Sequence, residues 1–404
     1  MPSLWRPLAA LLLVLLIAEG VWTRWRGFEM TRVVPARAAL GAPFEARYAV
    51  DNRTARPLLC TAVQALPLGV SGARNWSLRV PPRGRAEAVL QLTPIALGKQ
   101  TWPPVYARVR GPFGLAWWNR RPTMAGGETE VAPDSERAGE RAAGLSVAGR
   151  RQYRQSGSGF ELLALREYRP GDPRRAIDWK ASARSERLTV RLFSEEQRLE
   201  LAIAIDAGRA SGLAAGELQR LHRYINVAAR LVQRAVAQGD RVSLTIFAEQ
   251  PQIFLTSERA STALARIRAA LGAVRVQPRD SNPLAALLQL KRRLRTRSLV
   301  VCFTELDDPM AAEQLLRGVK LLRPQHLPLI ASLVDEEVIA LRDRPARDWL
   351  DPYRSLAAAE ALDAAARTLL HLQRLGANVV RERPAQLDSA VLEAYQRLRA
   401  QRRV

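Results

Sequence analysis

Hydrophobic and polar positions follow three patterns along the chain. The first is one apolar run, residues 8–18, inside the segment 4–22. Trp5 and Trp22 flank it, where two membrane–water interfaces would lie. The segment is just long enough to predict a single transmembrane helix. Arg24, Arg26, Arg32 and Arg37 follow the run while Arg6 alone precedes it. The positive-inside bias then puts the carboxyl side in the cytoplasm, at the inner (cytoplasmic) membrane. A retained anchor is the favoured reading; the alternative is a signal peptide cut near Ala18-Glu19-Gly20.

From residue 28 to 124 the pattern is short and alternating. Residues 44–50, 58–63, 86–92 and 105–109 read as strands, separated by turn signals at Asp51-Asn52, Pro67, Pro81-Pro82-Arg83-Gly84 and Leu97-Gly98. Such spacing predicts a small all-β sandwich. Residues 125–159, rich in Gly, Ser, Arg and Glu, read as a linker. Beyond residue 188 strands and helices alternate. Strands are expected at 199–206, 241–248, 297–304, 327–333 and 378–382, with helices between and after them. That alternation predicts an α/β, Rossmann-like unit with a mostly parallel sheet, and ligands beyond the carboxyl ends of its strands. The expected organisation is therefore an anchor (1–27), a sandwich (28–124), a linker (125–159) and an α/β domain with its leading segment (160–404).

That leading segment, residues 166–184, reads REYRPGDPRRAIDWKASAR. Pro170-Gly171 is a turn pair. Ile177 and Trp179 alternate with Asp178 and Lys180, so one edge is expected to be apolar and buried. Arginine forks pair well with carboxylates, so Asp172 and Asp178 should each meet one of Arg166, Arg175 or Arg184. Lys180 and Arg169 are left for an exposed edge. The residues Arg166, Glu167, Tyr168, Pro170, Gly171, Asp172, Arg175, Ile177, Asp178, Trp179, Ala183 and Arg184 resemble, without a gap, the signature of the domain-of-unknown-function family 58. Arg110-Gly-Pro-Phe-Gly-Leu115 and the end of the chain share in the resemblance. It implies a von Willebrand factor A-like domain and association with a MoxR-type AAA+ ATPase.

Such domains commonly hold Mg²⁺ through Asp-x-Ser-x-Ser, a Thr and an Asp on three loops. Here the first loop is Asp206-Ala-Gly208-Arg-Ala210, with both hydroxyl positions lost. Ser281, Asn282, Thr304 and Glu305 are the remaining oxygen donors, a degenerate set from which no cofactor is expected. The chain has 404 residues and a net charge of +23. Only four of its basic residues are lysines, which reads as compositional bias and weakens the charge as a sign of nucleic-acid binding. Cys60 and Cys302, the only cysteines, form no disulfide or zinc pattern. No phosphate-binding loop with its Lys and no nucleophile elbow is present, and the three histidines have no evident Cys or Ser partner. The resulting expectation is a membrane-anchored, non-enzymatic adaptor or assembly factor for a MoxR-type ATPase or its client. The alternatives are a basic nucleic-acid or anionic-surface binding module and, third, a metal-dependent hydrolase.

Overall fold

The computed structural model describes residues 5–25, 29–111, 114–122, 124, 127–135, 156–157, 161–172, 174–185, 187–194, 199–256 and 260–401. Most of the expected linker, residues 136–155 in particular, lies outside the described residues.

Helix α1 (Trp5–Trp25) covers the apolar run. The expected fold, with an N-terminal transmembrane helix added to two domains, is corrected here. Among the described residues no helix is long and apolar enough to cross a membrane. Glu19 interrupts the apolar run. As helix, the uninterrupted run 8–18 rises roughly 16 Å, against about 30 Å of bilayer hydrocarbon. The run stops at Glu19, which is fully buried against protein and accepts a hydrogen bond from the Gly114 amide at 3.0 Å. The helix also meets Trp118, whose ring lies where a side chain on Gly20 would stand.

The molecule is mixed α/β, and its strands divide among several small sheets. Two four-stranded antiparallel sheets share one core. One runs Glu29–Val33, Phe44–Asp51, Arg85–Pro94, Val70–Gly72; the other runs Trp117–Arg120, Val105–Arg110, Leu58–Gln64, Asn75–Val80. Tyr48, Cys60, Val80, Leu92 and Val105 are fully buried between them, as period-2 alternation requires. Arg37–Ala39, Glu128–Ala132 and Gly98–Thr101 form a separate three-stranded sheet. Alternation does not mark these three runs, and Glu128–Ala132 falls inside the stretch expected to be a linker.

The largest sheet has six strands, ordered Pro251–Leu255, Arg241–Phe247, Glu200–Asp206, Ser298–Phe303, Leu327–Leu333, Asn378–Glu382. All its neighbours are parallel except the first pair. Its central strands are buried along nearly their whole length and mostly apolar because helices cover both faces. Helix α2 (Trp179–Ser185) precedes the sheet; α3 (Arg220–Ala237), α4 (Ala260–Ala273), α5 (Pro283–Arg293), α6 (Pro309–Leu322), α7 (Glu336–Asp343), α8 (Asp351–Arg374) and α9 (Leu387–Gln401) follow in order. Several starts are written in the sequence. Asn282 caps α5 and Asp308 caps α6, each followed by Pro at the first helical position. Asp335 caps α7 by accepting from the Glu337 and Val338 amides.

Helix α3 ties the amino-terminal strands to this sheet. Asn226 Nδ2 donates to the Leu40 carbonyl at 2.9 Å, and Arg230 holds Asp134 at 2.6 Å and Asp388 at 2.7 Å. Leu40, Leu97 and Val131 accordingly belong to the large sheet's own core.

Candidate functional site

The signature segment forms a turn, a bridge and a short helix against a three-stranded sheet whose third strand is Ser156–Gly157. Glu161–Glu167 pairs antiparallel with Thr189–Ser194, and Ile177 bridges to Val190. Gly171 takes a φ of +107°, which the turn after Pro170 requires and which side chains rarely tolerate. Inside the turn Asp172 accepts two hydrogen bonds from the Arg166 fork, at 2.8 and 2.6 Å, and one from the Arg169 amide at 2.8 Å. The Arg166 guanidinium and that amide hold the Asp172 carboxyl below its ordinary pKa. The Tyr168 amide donates to the Leu188 carbonyl at 2.8 Å, fixing the segment to the next strand. Glu167 meets Arg187 at 3.7 Å in solvent. The Arg175 side chain lies outside the described residues.

Two expectations for this segment are corrected. Among the described side chains, which do not include Arg175, Asp178 meets no arginine of the motif. It accepts from Arg191 Nε at 2.9 Å, and its other oxygen caps α2 through the Lys180 and Ala181 amides at 3.1 and 3.0 Å. The Ala181 amide and Arg191 together keep its carboxyl below the ordinary value. Second, Trp179 is not a buried anchor. Ile177 is buried, but Trp179 is 66% exposed. Alternation of the two assumed a strand, whereas the helix begins at Trp179 and turns the indole outward. Trp179, Lys180, Ala183 and Arg184 are all exposed at helical spacing and share one side of α2. Among the described residues Arg169, Arg174, Lys180 and Arg184 form no salt bridge, since the nearby aspartates are engaged by Arg166 and Arg191. The segment thus presents one indole and four free cations.

Of the degenerate metal residues, Asp206 and Glu305 lie buried with Thr304 at the carboxyl ends of central strands, while Ser281 and Asn282 are half-buried in the loop before α5. Asp206 Oδ2 accepts from Thr304 Oγ1 at 2.7 Å; Oδ1 accepts from the Ser281 hydroxyl and from the Gly208 amide at 2.8 Å. A Cβ at position 208 would collide with that Ser281 hydroxyl. Burial pushes the Asp206 carboxyl up, against those hydrogen bonds. Asn282 does not join the site; its side chain caps α5 at the Ala285 amide. Arg209 points away and pairs with Asp280 at 2.8 Å in solvent.

Glu305 meets a residue that the metal pattern does not contain. Arg220, only 2% exposed, places Nη1 at 2.8 Å from Glu305 and 3.6 Å from Asp307, while Nη2 contacts Asp335. Tyr224 Oη donates to Glu305 Oε1 at 2.7 Å and accepts from the Leu333 amide at 3.1 Å. Burial pushes the Glu305 carboxyl up to about 8, although Arg220 pulls it down. Burial also works against the Arg220 charge, but the surrounding anions outweigh it and raise its pKa. The sequence carried a sign of this. Arg220 heads the same stripe as Tyr224, Val227 and Leu231, which is the buried face of α3.

These residues do not fit Mg²⁺. A hard cation needs oxygen lone pairs directed at one centre with room for water. Here both Asp206 oxygens are taken by protein donors, and a guanidinium stands among the other carboxylates. Among the described residues no cluster of three or more His, Cys, Asp or Glu side chains is arranged to hold a metal.

No curated protein matches this chain. The structure is similar to that of the conserved hypothetical protein BatB from Bacteroides thetaiotaomicron, at 13% identity and a TM-score of 0.33, over 50% of this chain and 99% of that one. It is also similar to the CARDB domain of the PF1109 protein from Pyrococcus furiosus, at 14% identity and a TM-score of 0.20, over 26% of this chain and 92% of that one. Neither score bears on function. Residues 164–343 match the family model described as "Protein of unknown function DUF58", so the stretch from the signature segment through α7 is similar to that family.

Proposed function

We propose that the protein is a non-enzymatic adaptor or assembly factor, a von Willebrand A-like unit that holds a partner protein through its signature segment. The partner we propose is a MoxR-type AAA+ ATPase or that ATPase's client. The exposed Trp179 carries this reading. Its helix is capped by Asp178 and pinned by the Ile177–Val190 bridge, so the indole is presented from a fixed frame. A fixed, exposed Trp rimmed by charge has the composition of an interface hot spot. The mutual engagement of the described strand-end residues Asp206, Ser281 and Thr304 is in keeping with this reading.

The test is surface plasmon resonance with the purified ATPase. Trp179→Ala should weaken binding by at least about tenfold, and Lys180→Ala with Arg169→Ala by a smaller factor, with unfolding midpoints unchanged. Equal binding by all three proteins would remove the segment from the interface. The four free cations also suit the second reading, an anionic-surface module. That reading requires oligonucleotide binding whose affinity falls steeply with salt.

A further inference from the structure

A second exposed surface lies at and just beyond the end of the family-matched stretch, where α7 and α8 form a hairpin. Trp349 is 74% exposed, Tyr353 67% and Leu356 59%. Tyr353 and Leu356, at i and i+3, lie on one face of the first turns of α8, and Trp349 stands in the turn just before the helix. Single exposed apolar residues are ordinary. Three large ones gathered within eight residues at the amino end of a helix, two of them aromatic, are an arrangement that a partner's apolar groove can receive. The opposite face of α8 is already used: Ala358, Ala365, Thr368 and Leu372 are buried.

The cluster is held in place before any partner arrives. The Asp351 carboxylate accepts from the Arg347 and Asp348 amides at 2.9 and 3.0 Å and from Arg354 Nη1 at 3.1 Å. Ser355 Oγ donates to the Arg342 carbonyl at 2.8 Å and so closes the hairpin. At its base the Asp335 cap is gripped by the buried Arg220. Little ordering entropy remains to oppose association.

Charge narrows the occupant. Arg342 is paired with Asp343, Arg354 with Asp351, and Arg383 with Glu336. Arg344 and Arg347, which flank the Trp349 end, form no salt bridge among the described residues. A membrane would gain only about 1 kcal/mol from each of these two cations. A second copy, also at +23, would be repelled. We propose that Trp349, Tyr353 and Leu356 dock into a groove on a partner protein, apolar at its centre and acidic where it meets Arg344 and Arg347.

The test uses the full chain with p-benzoylphenylalanine in place of Tyr353, expressed and illuminated in its own cells, and the crosslinked peptide sequenced. The expected product is one protein, joined at a groove segment whose apolar residues are flanked by Asp or Glu. Capture by a probe at position 356 should fall about tenfold in Trp349→Ser/Tyr353→Ser and severalfold in Arg344→Glu/Arg347→Glu, with wild-type circular dichroism in both. Flotation with phosphatidylglycerol vesicles and sedimentation of the purified chain run in parallel. Crosslinks to lipid or to a second copy, vesicle binding lost in the double variant, undiminished capture by the variants, or no crosslink would each overturn the proposal. Because the readout does not presuppose the ATPase, failure of the adaptor reading leaves this result separately interpretable.

Discussion

Asp172 and Glu305 each sit beside one arginine, but in opposite surroundings. The Arg166–Asp172 pair lies at the surface of the signature segment, bidentate and partly wet. The Arg220–Glu305 pair is enclosed at the strand ends with Tyr224, Asp307 and Asp335 around it. The consequence is a reversal of the electrostatics. Hydrogen bonding governs Asp172 and lowers its pKa, whereas desolvation governs Glu305 and raises it. The wet pair shapes a loop and leaves its neighbours free to bind; the dry pair closes a site and leaves nothing over.

The largest effect should come from removing the dry pair's cation. Arg220→Met leaves Glu305, Asp307 and Asp335 without their common partner, and breaking a buried pair costs about 3–5 kcal/mol. Urea unfolding of the variant measures it. A loss below about 1 kcal/mol would show that the cluster relaxes freely. Millimolar Mg²⁺ or EDTA should leave the wild-type melting temperature where it is, and a clear Mg²⁺-dependent rise would contradict the misfit described above.

Within the signature segment the contrast is between neighbours. Ile177→Ala should cost about 2 kcal/mol or more, as truncation of a buried side chain does. Trp179→Ala, on the exposed side, should stay within about 0.5 kcal/mol. Comparable losses for the two would mean that the indole is covered in solution.

The two pairs should also respond to pH in opposite directions. The Glu305 carboxyl titrates at about 8 when folded, above its ordinary 4.5, so the folded protein binds the extra proton. Its contribution is complete below the ordinary value and is lost as pH rises towards 8. Glu305→Gln should flatten that limb in unfolding measured between about pH 5 and pH 8.5. Asp172 and Asp178 lie below their ordinary 3.8 when folded. Their contribution holds above that value and disappears in acid as pH falls through the lowered folded values. The smallest effect is expected from Asp172→Asn, a slight lowering of the melting midpoint confined to pH above that acid range. A drop as large as that of Ile177→Ala would place the Asp172 pair among the core interactions.

Local pattern was enough to find the signature segment, its Pro-Gly turn and an arginine partner for Asp172 from within the segment, but not to choose Arg166 from among Arg166, Arg175 and Arg184. It was also enough to mark the β–α alternation, whose apolar runs and Asn-Pro and Asp-Pro helix starts are local features. Tertiary structure decided the rest. Alternation gave Ile177 and Trp179 a common side until a helix start separated them, and the partner of Asp178 arrived from the next strand at Arg191. An apolar run read as a span became a helix whose Glu19 is buried against a distant loop. The oxygen donors of a metal pattern were visible one loop at a time, but the arginine that meets Glu305 comes from another helix. Periodicity reports which face of an element is apolar; which opposite charge a buried carboxylate meets depends on how distant elements pack.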